Sequence, residues 1–307
     1  MVNLYDTSKR NILKTWFLLF GFATLIGGLG YLLSRVYDNP GIFYLAIVLS
    51  LAQVWVSYWF SKDIILRSVR AHKATKEDNP YISDLVENLA ITVGLPTPEL
   101  YVIDDLAPNA FATGRNPKNS VICITTGLIN MLSYNPDGTP DLKSKRKLEG
   151  VLAHELSHIK NYDILLSSIA VTMVGIISLM VNIGARSSRS RSRDDDSSTS
   201  AIIGILALVG MILAPLAATL LQMAISRKRE YLADSSAAII TRFPEGLAEA
   251  LEDISRDEHK LNVPSNVQSL FIASPVKSDV QGKRRWFVGL FDTHPPIEER
   301  IKLLRSV

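Results

Sequence analysis

The chain has 307 residues, 47% of them hydrophobic and 21% charged, with a formal net charge of +3. That length suits one large domain or two small ones, and so small a positive excess gives no ground for nucleic acid as a partner. Cys123 is the only cysteine and lies in the apolar stretch 121–124, which excludes an intrachain disulfide and a thiolate-rich metal site.

Residues 15–34 and 39–61 carry no charge. A helix crosses a bilayer core of about 30 Å with roughly 20 residues, so both are predicted spans and the first an uncleaved anchor. Trp16, Tyr31, Trp55, Tyr58 and Trp59 stand near their ends, where interfacial aromatics collect. Lys9, Arg10 and Lys14 precede the first span, and Lys62, Arg67, Arg70, Lys73 and Lys76 follow the second. Only Arg35 lies between them. This bias puts the amino terminus and residues 62–163 in the cytoplasm.

Residues 80–93 read as a helix, and 99–104, 110–113 and 120–125 as short strands, with a turn at Asn116-Pro117. Beyond Gly138 and Pro140 a helix is expected from about residue 145, running through His154 and His158 towards a third apolar run. Two more uncharged segments, 164–185 and 200–226, form a predicted second hairpin, kinked at Pro215. Their connection holds Arg189, Arg191 and Arg193 against Asp194, Asp195 and Asp196, which leaves open whether the hairpin crosses or dips in and out. Either way residues 227–307 return to the cytoplasm, with an amphipathic helix over 244–258 and a short one from Pro296. The expected organisation is a hairpin at 1–61, a cytoplasmic part at 62–163 with the helix through His154 and His158, a second hairpin at 164–226 and a tail at 227–307. The fold class is mainly α with a small β-sheet: a four-span membrane protein with a cytoplasmic domain.

His154-Glu155-Leu156-Ser157-His158 carries the chemistry. Histidines at i and i+4 share one helix face and grip one ion, while Glu155 stands one step round, within reach of water on that ion. Zinc held by neutral imidazoles acidifies such a water, and the carboxylate takes its proton as it attacks an amide. One zinc per chain is the expected cofactor. A continuation with glycine three residues on and a third histidine six residues on is excluded by Asn161 and Ile164, so the alternative for the last ligand is a later carboxylate. Glu230, opening the run Glu230-Tyr231-Leu232-Ala233-Asp234, is the best placed, with Glu245, Glu249 and Glu252 as alternatives. Asp234, one turn on, is positioned to orient a ligand imidazole.

His154 to His158, then Asn161 and Asp163, the later EYLAD run, Thr293-His294-Pro295-Pro296 with Arg300, and Asn109-Ala110-Phe111-Ala112-Thr113-Gly114 occur in one order along nearly the whole chain. Together they resemble the HtpX heat-shock membrane metallopeptidases, relatives of the CAAX prenyl endopeptidases. The resemblance implies His154, His158 and Glu230 as zinc ligands, Glu155 as general base, and Asn161 among the groups supporting them. It also implies a stress-response enzyme of the cell membrane whose cytoplasmic site cleaves misfolded or unfolded membrane proteins, alongside other quality-control proteases. The polar loop at 134–147 and the Arg/Asp/Ser connection depart from the family pattern.

His294 reads in two ways: a donor to the oxyanion, or the start of a helix with proline in its first positions. Arg300 reads as a structural ion-pair partner. Ala110, Phe111 and Ala112 form either an internal strand or an edge that pairs with an extended substrate. Three competing functions follow. A zinc-binding scaffold has no need of Glu155. An intramembrane protease conflicts with the lysines and Arg146 before the motif and Lys160 after it. A prenyl endopeptidase needs a larger membrane chamber than four spans enclose.

Overall fold

The protein is described by a computed structural model covering residues 4–131, 141–189, 226–273 and 295–306. Helix α1 runs Leu4–Val36 and α2 runs Pro40–Ser68. Thirty-three residues at about 1.5 Å each make α1 about 50 Å long, more than a bilayer core requires, so its charged first turns extend beyond the apolar part. Both helices are long and apolar enough to cross a membrane. The turn between them places Asp38 at φ 48°, and Asn39 caps α2 by accepting from Gly41 N at 2.9 Å. The two pack closely because Gly30 faces Ala46, where a Cβ on Gly30 would come within 2.2 Å of the alanine methyl. Phe17, Tyr44, Val48 and Leu51 point outward, as lipid-facing side chains do.

The chain then enters a four-stranded sheet of order β1-β2-β4-β3. The strands are β1 (His72–Lys73), β2 (Glu99–Ile103), β3 (Ala110–Gly114) and β4 (Ser120–Thr125). β2 and β4 are parallel, the other pairs antiparallel, so β3 is an edge. Every residue of β4, Cys123 included, is buried. Helix α3 (Pro80–Val93) and short α4 (Thr126–Asn130) flank the sheet. The three longer strands lie where the apolar runs predicted them, while β1 is too short to register as a pattern.

Helix α5 (Leu142–Lys160), capped by Asp141, lays Leu152 and Leu156 in one core with Ile122 and Ile124 of the sheet. It crosses α8 (Pro244–Arg256) at a glycine pair: a Cβ on Gly150 would stand 2.6 Å from Leu247 N, and one on Gly246 2.4 Å from Arg146 O. Helix α7 (Arg227–Thr241) and terminal α9 (Ile297–Leu304) complete this layer. The expected continuous helix into the third apolar run is corrected here. Tyr162 adopts φ +58°, α5 stops, and α6 (Asp163–Arg189) leaves at 83°. α5 and α6 pass as a span only when taken together. Of the predicted second hairpin, residues 200–225 lie outside the described residues, as do residues 134–140 of the polar loop and Arg191 and Arg193 of the connection.

Candidate metal centre

The first two turns of the His-Glu motif are buried between the sheet and α7, so His154, Glu155 and Glu230 are all shielded from solvent and His158 is half-buried. His154 Nε2 and His158 Nε2 face each other at 3.1 Å. Glu230 Oε2 lies 3.7 Å from the first nitrogen, and Oε1 3.6 Å from the second. A tetrahedral ion about 2.05 Å from each of three ligand atoms separates them by about 3.3 Å, so this triangle has the right size to hold zinc. Glu245, Glu249 and Glu252 do not compete. They sit on α8 in surface ion pairs with Arg305, Lys143 and Arg256.

Each imidazole is backed by a carboxylate on its far nitrogen. Asp234 Oδ1 lies 2.9 Å from His154 Nδ1, and Asp163 Oδ2 3.0 Å from His158 Nδ1. Protons held at Nδ1 leave both Nε2 lone pairs facing the centre. Asp234 is in turn clamped by Arg300, whose Nε and Nη2 donate to its two oxygens at 2.9 and 2.7 Å. Burial alone raises a carboxyl pKa, but the Arg300 guanidinium outweighs it and holds Asp234 down at about 2. Arg300 is itself 0% exposed and also donates to Ile272 O at 2.7 Å. Asp163 is held by Asn11 Nδ2 of α1 at 2.7 Å and by Arg229 at 3.4 Å.

Glu155 lies beside this triangle and outside it. Burial pushes its carboxyl up to about 7, against the pull of His158 and of the Ala112 backbone amide on β3. A group poised there exchanges a proton near neutrality. Burial also works to lower His158, yet Asp163 and Glu230 draw it up to about 9. A pocket this rich in carboxylates is short of positive charge, and a divalent cation supplies it.

Sequence reasoning brought His154, Glu155, His158, Glu230 and Asp234 together, and the structure gathers them at one point. Asn161 sits differently. It caps α5, and its carbonyl accepts from Asn11 Nδ2 at 2.9 Å, but among the described residues no hydrogen bond joins its side chain to either imidazole. The carboxylate behind His158 is Asp163, quoted only as part of a motif. His294 lies outside the described residues. Ala110, Phe111 and Ala112 are on an edge strand, but it is not free. Ile272 N donates to Ala110 O at 2.9 Å, Phe271 packs edge-on against Phe111 at 4.8 Å, and all of β3 is buried. Leu270 to Ile272 thus wall the cavity in front of Glu155, which holds about 40 Å³, enough for an ion and a few waters but not a peptide.

The family model for peptidase family M48 matches residues 76–307. The chain belongs to peptidase family M48. Full-length relatives agree. A protease HtpX homolog of Dictyoglomus turgidum is 42% identical, covering 99% of this chain and 94% of that protein. Another, of Tropheryma whipplei, is 40% identical over 99% and 98%. The crystal structure of S. mikatae Ste24p aligns with 99% of this chain and 66% of its own at 21% identity, with a TM-score of 0.47, too distant a likeness to argue from. This M48 chain is therefore a metalloprotease of the HtpX type, with two helices apolar enough for a membrane.

Proposed function

We propose that the protein is a zinc endopeptidase of the cell membrane that cleaves misfolded or damaged membrane proteins and unfolded chains at the cytoplasmic surface. The observation that carries this is the triangle of His154, His158 and Glu230 with Glu155 alongside but not within it. Bound there, zinc supplies Lewis acidity, polarising a scissile carbonyl and acidifying water. Glu155 takes the proton of the attacking water and delivers it to the departing amine. Asp234 and Asp163 fix the imidazoles, and Arg300 keeps Asp234 anionic. His294 is the candidate donor to the oxyanion.

A substrate strand pairs with β3 at Ala112, next to the point where Ile272 holds Ala110, and so productive binding requires Leu270 to Ile272 to move aside. Multi-pass insertion with four spans and a cytoplasmic site follows from the lysine and arginine bias, and the Asn11–Asp163 bond supports it by tying the site to the charged end of α1.

The test is hydrolysis of casein and of an unfolded membrane protein by purified full-length protein, with and without a chelator. Wild type cleaves, chelation stops it and added zinc restores it, while Glu155→Gln cuts the rate by about 100-fold or more. Glu155→Gln cleaving at the wild-type rate contradicts the proposal, and bound zinc without turnover under any condition identifies a scaffold instead.

A further inference from the structure

A second cavity, of about 290 Å³, shares no lining residue with the metal pocket and opens between residues 55–63 of α2 and the turn joining β3 to β4. Trp55, Tyr58, Trp59, Lys62, Asp63 and Arg115 line it. The guanidinium of Arg115 lies flat over Trp59, 4.0 Å from the ring centre. Among the described residues no carboxylate pairs with Arg115, and no cation pairs with Asp63. Lys62 by contrast is bridged to Glu99 at 3.3 Å. Besides the bridged Lys62, the cavity thus presents Arg115 and Asp63, neither in an ion pair among the described residues.

Its level in the molecule is set by the sequence. Residues 39–61 are uncharged, and Lys62 and Asp63 are the first charges after them, so this cavity straddles the boundary where a membrane helix leaves the hydrocarbon. Trp55, Trp59 and Phe60 line it from within that uncharged run and are exposed, as side chains in contact with lipid are. Arginine binds phosphate through a planar fork, and stacking on an indole pre-orders that fork, so less freedom is lost on binding. A phosphate at Arg115 leaves Asp63 facing the group beyond it, where a carboxylate calls for N–H donors. A trimethylated amine has none.

We propose that this cavity binds one phospholipid with a primary-amine headgroup, phosphatidylethanolamine in chemical class, its phosphodiester at Arg115 and its ammonium at Asp63. The exposed aromatics below take the start of the acyl chains, so that the lipid pins the β3–β4 turn to α2 at the membrane surface.

The test is native mass spectrometry of the detergent-solubilised full chain with added phosphatidylethanolamine, phosphatidylglycerol or phosphatidylcholine, and with water-soluble glycerophosphoethanolamine as competitor. The wild type retains the ethanolamine lipid in preference to the other two, and the soluble headgroup does not displace it at millimolar concentration. Arg115→Gln weakens retention by about tenfold or more, the loss of one charge-assisted contact. Asp63→Asn, which keeps the phosphate contact, abolishes the preference over phosphatidylglycerol while the melting temperature stays at the wild-type value. Equal retention of all three lipids by wild type, or unchanged retention by Arg115→Gln, overturns the proposal. Displacement by the soluble headgroup overturns the lipid as ligand in favour of a free phosphate ester.

Discussion

Asp234 joins His154 to Arg300, and the energetics of that join are asymmetric. With both partners present the buried charges neutralise each other; with one removed, the other is stranded in the interior. Arg300→Ala is therefore expected to destabilise the protein by about 3–5 kcal/mol, read as a lowered denaturation midpoint in detergent. Arg300→Lys recovers only part of this, because an ammonium cannot match both Asp234 oxygens at once. Behind the other imidazole, Asp163→Asn is expected to weaken zinc affinity by about 10–100-fold with the fold intact, measured by chelator competition. The histidine pair was legible in the sequence because i and i+4 share a helix face. Asp163 was not, since its approach to His158 depends on the left-handed Tyr162 between them. Nor was the depth of Arg300, which comes from 66 residues beyond its partner.

At the level of elements, the position of the metal helix depends on how closely α8 can approach it. Gly150 and Gly246 meet at backbone distance, and a methyl on Gly150 has no flexible side chain to push aside. Gly150→Ala is expected to cost about 1–3 kcal/mol and to lower the melting temperature, whereas alanine at Gly21, where nothing stands within 4 Å of a Cβ, leaves it unchanged. Equal melting temperatures for the two variants contradict this packing. The strands at β2 to β4 and the helix at α8 were readable from their periodicity. The break between α5 and α6 was not, because Asn161-Tyr162 carries neither the glycine nor the proline that ordinarily marks a sharp stop. The cover over β3 was hidden for a related reason: Phe271 and Ile272 lie far along the chain in no regular element, and only their backbone contact with Ala110 reveals them.

Over the whole molecule, the membrane hairpin and the metal centre are one unit. Asn11, four residues before the first charge-free run begins at Thr15, reaches both Asp163 and the Asn161 carbonyl. The centre is therefore tied to the charged first turns of α1. Zinc binds only the folded state, so removing it lowers stability; at a free concentration about a thousandfold above Kd the loss is about 4 kcal/mol, seen as a drop in melting temperature that added zinc reverses. The first two spans were plain in the sequence, since an uncharged run of that length has few other uses. Composition could not say whether the third run stands upright or continues from a bent pair, because the 83° turn is a property of packing.

The central claim is that zinc is held by two imidazoles and one distant carboxylate, with Glu155 free to move protons. X-ray absorption at the zinc edge, on purified wild type, Glu155→Gln and Glu230→Gln, tests it most directly. The expected result is one zinc per chain with two imidazole nitrogens at about 2.0–2.1 Å and oxygen completing the shell, identical in Glu155→Gln and lost or strongly altered in Glu230→Gln. A spectrum that changes with Glu155 and not with Glu230 would contradict the account.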